Sequence, residues 1–367
     1  MELFLFYLFL LCIYIHLFYC LFVFARIIFY EENSPLQEND LSVSVVVCAH
    51  NEYLNLVNLI PALLKQKYSN FEIIIVNDRS SDETERLSRE FSSNEKISFL
   101  TISETPKGIN PKKHALTLGV QAASKEIILL TDADCLPLSS KWINNMVQGF
   151  SSGKEIVLGI CQYKQEPGLL NKLIRFETLY TAIQYISFAL KNQAYMGVGR
   201  NMAYRKSLFD KLNGISAHKE ITGGDDDLFI RDASKKGNVA IRINRKSQTI
   251  SIPKKNYTSW FRQKKRHLSV GKYYKTRDKV RLGMLNISHM LFYISFFLLL
   301  SLYTDTLLII SLFLLRTGIL ITIFALISYK MKDRIKWYWI PILDFMYVIN
   351  YLITGMAALF AKKIKWT

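Results

Sequence analysis

Four short stretches of this chain set acids beside apolar runs or at a helix start. Cys48-Ala49-His50-Asn51-Glu52 and Val76-Asn77-Asp78-Arg79-Ser80-Ser81-Asp82 each complete an apolar run. So does Leu130-Thr131-Asp132-Ala133-Asp134, while Gly223-Gly224-Asp225-Asp226-Asp227-Leu228 precedes a helical pattern. Some of this acid has an ordinary explanation. Asn51 could cap a helix, with Glu52 in its first turn. Ser81 or Asp82 could cap the next helix, which leaves Asp78 to accept hydrogen bonds from a ligand such as a nucleobase imide. Asp132 and Asp134 could lie in a solvated turn. At a strand end, however, two carboxylates so close repel unless a cation offsets them. Mg²⁺ or Mn²⁺ would do so and would share its remaining positions with phosphate oxygens. In the acidic triad one residue could cap and one could sit in the first turn; the remainder suggests a general base that deprotonates a hydroxyl.

The basic counterpart is Trp260-Phe261-Arg262-Gln263-Lys264-Lys265-Arg266-His267. Arginine suits a diphosphate through its planar fork. The plainer reading is a juxtamembrane helix on anionic lipid. Both are compatible with helical spacing, which puts Gln263, Arg266 and His267 on one face and Lys264 and Lys265 elsewhere.

The elements that must position these groups follow from hydrophobic period. Apolar strand candidates lie at Val43–Cys48, Glu72–Val76, Ile97–Ile102, Glu126–Thr131 and Ile156–Cys161. Helical patterns fall between them at about 52–66, 82–92, 111–124 and 139–150. This alternation predicts a mostly parallel sheet covered by helices, with ligands at the carboxyl ends of the strands. All three strand-end acidic segments satisfy that rule.

The ends of the chain are different. Leu3–Phe24 is apolar and long enough to span a bilayer, and no basic region precedes it, so it is expected to be an anchor rather than a cleaved leader. Further spans are expected at about 285–303, 307–328 and 338–360. The formal charge of +17 suits an anionic membrane or phosphorylated ligands. No motif points to nucleic acid. The five cysteines show no metal-ligand spacing and, being odd in number, argue against a disulfide framework. Leu169–Leu190 is apolar and aromatic, and is expected to be either a core helix or, preferably, an amphipathic helix at the membrane interface. The positive-inside rule puts the central region and the basic 329–336 loop on the cytoplasmic side. The basic tail KKIKWT conflicts with a third full crossing unless the last span is shallow or bent near Pro341 and Asp344.

In this order, the segments resemble the family-2 glycosyltransferases, inverting enzymes with a GT-A fold, over about residues 41–275. The opening VSVVVCAHNEYLNLVNLIPALLKQKYSNFEIIIVNDRSSDET carries the clearest likeness. The resemblance implies an α/β, Rossmann-like nucleotide-sugar-binding domain with N-terminal and C-terminal transmembrane helices. The expected division is an anchor at 1–30, a linker at 31–40, a GT-A domain at 41–283 and a transmembrane region at 284–367. Glu52 and Asp78 would contact the donor nucleoside, with Lys113, from the Lys112-Lys113-His114 cluster, and Asp132 also at the donor. Asp132 and Asp134 match the DxD motif, Asp134 being the more direct ligand of Mg²⁺ or Mn²⁺. The triad matches the acidic base motif, as Asp225 on one alignment and Asp226 on another, with Asp225 preferred. Gln263-Lys264-Lys265-Arg266-His267 resembles QxxRW, with Gln263, Arg266 and His267 toward the diphosphate and acceptor. Histidine in place of tryptophan puts processivity in doubt.

The resemblance thus implies an inverting glycosyltransferase of the cytoplasmic membrane, with a cytosolic catalytic domain. It would take a sugar from a nucleotide diphosphate, UDP being the first expectation, to a lipid-linked glycan, lipid or polysaccharide. Two rival readings are a non-catalytic membrane scaffold, opposed by the intact acids, and a transporter using Arg316 and Asp344.

Overall fold

The computed structural model describes residues 1–32, 41–150 and 153–360. Most of the expected 31–40 linker and the basic tail therefore lie outside the described residues. The chain forms two compact units. One comprises Met1–Tyr30, Gln165–Ser187 and the chain from Lys254; the other comprises Glu31–Lys164 and Phe188–Pro253.

The second unit is the α/β unit. Its strands are β1 (Val43–Ala49), β2 (Phe71–Asp78), β3 (Ile97–Ile102), β4 (Ile127–Leu130), β5 (Cys135–Pro137), β6 (Ile156–Leu158), β7 (Cys161–Tyr163), β8 (Met202–Arg205), β9 (Val239–Ile241) and β10 (Thr249–Ser251). Seven form one sheet in the order β3-β2-β1-β4-β8-β6-β9. The half made of β3, β2, β1 and β4 is parallel. β8 runs antiparallel to both β4 and β6. Burial on both faces explains the unbroken apolar runs of β1 and β2. Val43, Val45 and Val47 join Leu56, Leu59 and Leu63 of the helix Tyr53–Leu64 in the core. The helix Pro111–Ala122 sits close against the sheet because Gly119 lacks a side chain. A Cβ there would stand 2.7 Å from Val76 Cγ2 and 2.8 Å from Val46 Cγ1.

The first four strands form where the apolar runs predict them. The fifth expected strand, Ile156–Cys161, is instead two. β6 joins the main sheet, while β7 joins a second sheet in the order β5-β10-β7. The break falls at Gly159, where a Cβ would approach Asn201 Nδ2 to 2.5 Å. Asn201 is fully buried. It donates to the carbonyls of Ile160 and Ser247 at 2.7 and 2.8 Å and accepts from Trp142 Nε1 at 3.0 Å. One amide thus holds the chain where it changes sheets. At the start of the unit, Glu32 accepts from the backbone N–H groups of Ile243 and Asn244 at 2.5 and 2.7 Å.

The first unit is helical. Glu2–Phe29, Thr276–Leu302, Thr306–Lys330 and Trp337–Leu359 are long and apolar enough to cross a membrane. Rings join them, with Phe9 stacked on Phe292 at 5.3 Å and Phe296 on Phe313 at 4.1 Å. Pro341 lies in the first turn of the helix Ile340–Leu359, where a missing N–H costs nothing, so it does not bend the helix as the sequence allowed. Leu169–Leu190 is helical, but the preferred interfacial reading does not hold. Phe176, Tyr180, Ile183 and Tyr185 are all buried. Phe176 stacks on Phe324 at 5.7 Å, and Tyr180 meets Phe24 and Tyr347 at 6.1 and 4.7 Å. Packing on several sides makes it a core helix.

Candidate functional site

The chain leaving β1 meets the chain leaving β2. Asn51 adopts φ 56°, the left-handed region that short polar side chains tolerate. Its N–H donates to Ser80 Oγ at 3.0 Å, and its Oδ1 accepts from the Ser81 N–H at 2.7 Å. Asn51 therefore joins two loops instead of capping the helix that follows. Capping falls partly to Asp82, which accepts from the N–H groups of Tyr53 and Thr84, both at 3.0 Å. Burial raises the Asp82 pKa, but these bonds outweigh it and hold the carboxyl below its ordinary value. Glu52 precedes the helix Tyr53–Leu64 and accepts from Asn55 Nδ2. Asp78 is buried at the end of β2, and its two oxygens meet Arg79 Nε and Nη2 at 2.8 and 3.1 Å. His50 Nδ1 lies 2.6 Å from the Asp78 carbonyl.

β4 delivers the other pair of acids. Asp134 Oδ2 accepts from Ser251 Oγ on β10 at 3.2 Å, and its Oδ1 accepts from Cys135 Sγ at 3.3 Å. Asp132 Oδ1 lies 3.1 Å from Lys112 Nζ. The same ammonium lies 3.2 Å from Asp225 Oδ2. One cation thus bridges the acids after β4 and the acidic triad. Burial would lower the Lys112 pKa, but Asp132 and Asp225 raise it well above the ordinary lysine value.

The triad divides its work. Asp226 is the N-cap of the helix Asp227–Ala233. It accepts from the N–H groups of Gly199 and Asp227 at 2.7 and 2.9 Å. Burial, then the neighbouring Asp225, push its carboxyl above the usual value. Asp225 is also buried, yet Lys112 holds its carboxyl below the usual value. Geometry therefore ties Asp226 to the backbone and turns Asp225 toward the ammonium shared with Asp132.

Lys113, the lysine singled out from the sequence, points elsewhere. It is buried and donates from Nζ to the His218 carbonyl at 2.7 Å. Lys112 was legible only as part of the basic cluster. Its signal was position: it is the second residue of a helix capped by Asn110. A cation there opposes the helix dipole, but so does Lys113 one residue on, and position alone does not choose between them.

Burial lowers the Lys113 pKa from 10.5 to about 8. Between those values the unfolded chain binds more protons than the folded one, so stability should rise with pH across that window. Denaturant unfolding of the protein and of Lys113→Met from pH 7 to 10.5 checks this. The parent should gain stability relative to the variant above pH 8, and parallel curves would refute the burial argument.

Two strand-end carboxylates match the oxygen chemistry of a hard divalent ion. Among the described residues no group of three His, Cys, Asp or Glu is placed to hold a metal. A Mg²⁺ or Mn²⁺ ion here would therefore need water and a diphosphate to complete its shell. Neither thiol next to the acids is disposed to act as a nucleophile: burial pushes Cys48 up to about 12 and Cys135 well above its ordinary value.

Gln263, Arg266 and His267 belong to the first unit, on the helix Tyr257–Ser269. Asn256 caps this helix by accepting from the Ser259 N–H at 2.9 Å. Trp260 is fully buried, and Tyr257 donates to Asn350 Oδ1 at 2.8 Å. Lys264 pairs with Glu177 on the core helix Leu169–Leu190. His267 is exposed.

Comparison with known proteins places the α/β unit. The model of glycosyl transferase family 2 matches residues 44–212. The probable glycosyltransferase YdaM of Bacillus subtilis is 28% identical over 201 residues, which are 50% of this chain and 46% of that protein. The poly-β-1,6-N-acetyl-D-glucosamine synthase of Staphylococcus epidermidis is 27% identical over 192 residues, 52% of this chain and 43% of that protein. The chain thus spans less than half the length of these curated relatives. The mannosyltransferase PcManGT of Pyrobaculum calidifontis, solved in complex with GDP-Man and Mn²⁺, aligns with a TM-score of 0.62 at 16% identity. That alignment covers 97% of this chain and 100% of the other. At such identity the likeness is one of fold, a GT-A glycosyltransferase fold. The strand-end acids, their sequence order and the matched model agree on one likeness: residues 44–212 carry the pattern of glycosyl transferase family 2.

Proposed function

We propose that this protein is an inverting glycosyltransferase of the cytoplasmic membrane. It would move a sugar from a nucleotide diphosphate donor, UDP being the first candidate, to a lipid-linked glycan, lipid or polysaccharide. The observation that carries the proposal is the Lys112 ammonium, held within 3.2 Å of both Asp132 and Asp225. It sets the acids that would face a donor diphosphate beside the acid that would face an acceptor hydroxyl.

Asp225 is the proposed base, taking the proton from an acceptor hydroxyl as that oxygen attacks the anomeric carbon. Asp226 positions it by fixing the loop to the N–H groups of Gly199 and Asp227. Glu52 and Asp78 would receive the nucleoside, on loops that Asn51 and Asp82 lock together. Asp132 and Asp134 would hold Mg²⁺ or Mn²⁺, which when bound supplies positive charge to the departing diphosphate. Gln263, Arg266 and His267 are proposed for the diphosphate and acceptor. The four long apolar helices support a membrane location, and the basic 329–336 loop supports a cytosolic active side. The named activity of the Staphylococcus relative makes a polysaccharide the first acceptor to try.

The test is donor turnover by purified protein in detergent, with lipid extract as acceptor. A panel of nucleotide sugars is offered with and without Mg²⁺ or Mn²⁺, beside Asp134→Ala. Metal-dependent release of nucleoside diphosphate, lost in the variant, is expected. Turnover of no donor under any metal would overturn the reading.

A further inference from the structure

The segment 329–339 joins two of the four long apolar helices, Thr306–Lys330 and Ile340–Leu359. When both neighbours cross a bilayer, this segment lies at the level of the lipid headgroups. The inference therefore rests on the membrane reading above.

Its side chains alternate. Met331 and Asp333 are buried and Ile335 is half-buried, while Lys332, Arg334 and Lys336 are exposed. Asp333 is the only acid between Tyr329 and Trp339. It is turned inward, where Arg175 Nη2 lies 2.8 Å from its Oδ1 and also donates to its backbone carbonyl. The outward side of the segment is left with cations and no acid.

The turn is held open at a cost. Lys332 and Arg334 have φ of 58° and 50°. That region is unfavourable for long side chains and persists only where other bonds fix it. Here the Asp333 N–H donates to the Ser328 carbonyl and the Ile335 N–H to Ser328 Oγ, both at 3.0 Å. Lys330 is committed elsewhere, donating to the Ile28 carbonyl at 2.6 Å.

Aromatic rings frame these cations. Tyr329, Trp337 and Tyr338 are 74%, 62% and 50% exposed. Lys332 Nζ lies 4.4 Å from the Tyr329 ring centre and Lys336 Nζ 5.8 Å from that of Tyr338. Lys172 Nζ, on the core helix, lies 4.4 Å from that of Trp339. A nucleic acid would also be drawn to the cations, but the rings stand between two long apolar helices. Tryptophan and tyrosine beside lysine and arginine at the end of an apolar helix is the composition of a membrane interface.

We propose that the 329–339 segment is a preformed docking surface for anionic phospholipid headgroups, with Lys332, Arg334 and Lys336 taking the phosphate and the exposed rings resting among the acyl carbonyls. Each such cation near an anionic surface favours the charged lipid roughly fivefold.

The test uses the full chain in phosphatidylcholine nanodiscs. These contain equal fractions of brominated phosphatidylglycerol or brominated phosphatidylcholine. Trp337 fluorescence is isolated by subtracting the Trp337→Phe protein. Phosphatidylglycerol should quench Trp337 several-fold more strongly than phosphatidylcholine. The preference should fall to parity in Lys332→Ser/Arg334→Ser/Lys336→Ser and survive in Lys332→Arg/Lys336→Arg. Quenching by phosphatidylcholine should persist in every variant, which also reports that each remains inserted. Equal quenching by both lipids in the parent would overturn the anionic site. Loss of the preference on adding millimolar inorganic phosphate at constant ionic strength would replace it with a small-anion site. No quenching by either lipid would remove the membrane reading on which it rests.

Discussion

Asp225→Asn should lower the rate of sugar transfer about a thousandfold, within the range of a positioned general base. Asparagine keeps the shape and can still accept a hydrogen bond from Lys112, so the loop should stay folded. What it cannot do is take a proton. The comparison with Asp226→Asn makes the prediction specific. Asp226 accepts from two backbone N–H groups, of Gly199 and Asp227. An amide retains one good acceptor and places a donor against the other N–H. Its loss should therefore be felt in stability and in KM as well as in kcat. Single-turnover transfer with saturating donor, beside unfolding curves for both variants, separates the two. A thousandfold loss in Asp226→Asn with near-normal Asp225→Asn would reverse the assignment.

The second large effect concerns the helical unit. Arg316 Nη1 lies 2.7 Å from Asp344 Oδ2, and both side chains are buried. Tyr293 donates to the same oxygen at 2.8 Å, and Arg316 Nε donates to His16 Nδ1 at 3.0 Å. His289 Nε2 lies 3.0 Å from Asp344 Oδ1. Each of the four long helices thus contributes to one polar knot. Removing one charge strands the other in an apolar surround. Asp344→Leu or Arg316→Met should each cost about 3–5 kcal/mol. The double variant should recover much of that loss, though Tyr293 and His16 would still miss a partner. Thermal unfolding in one detergent measures all four proteins. If the double variant loses the sum of the singles, the pair is not the unit of stability. Retention of transferase activity by a stable double variant would also oppose the transport reading, in which these charges are the functional residues.

How much of this could be read from sequence depended on range. β1 to β4 were legible because residues buried on both faces leave long apolar runs. Asp132, Asp134 and Asp78 were legible because polar groups at the end of such runs have few structural reasons to be there. The division of Ile156–Cys161 was not. It depends on Asn201, some 40 residues on, filling the space beside Gly159, and no local pattern encodes that. Nor was the partition between Lys112 and Lys113. Adjacent helical residues point about 100° apart, and only the position of Asp225, more than 100 residues later, decides which one faces the acids. The helix Leu169–Leu190 misled for a related reason. Arg175 and Glu177 are interspersed along it, and each has a partner, Asp333 and Lys264, from the distant end of the chain.

The pairing of Glu32 with the amides of Ile243 and Asn244 bears on how the protein is made. The two sides are separated by 211 residues. A ribosome adding about 5–20 residues per second needs roughly 10–40 s to pass from one to the other. Sheet growth waits in the same way, since β1 needs β4, and β4 needs β8. The first apolar helix is complete long before any of these partners exists. Until β4 is made, β1, β2 and β3 can pair with one another, while the edge of β1 that β4 covers stays open. The Glu32 contact can form only once the chain has been made beyond Asn244.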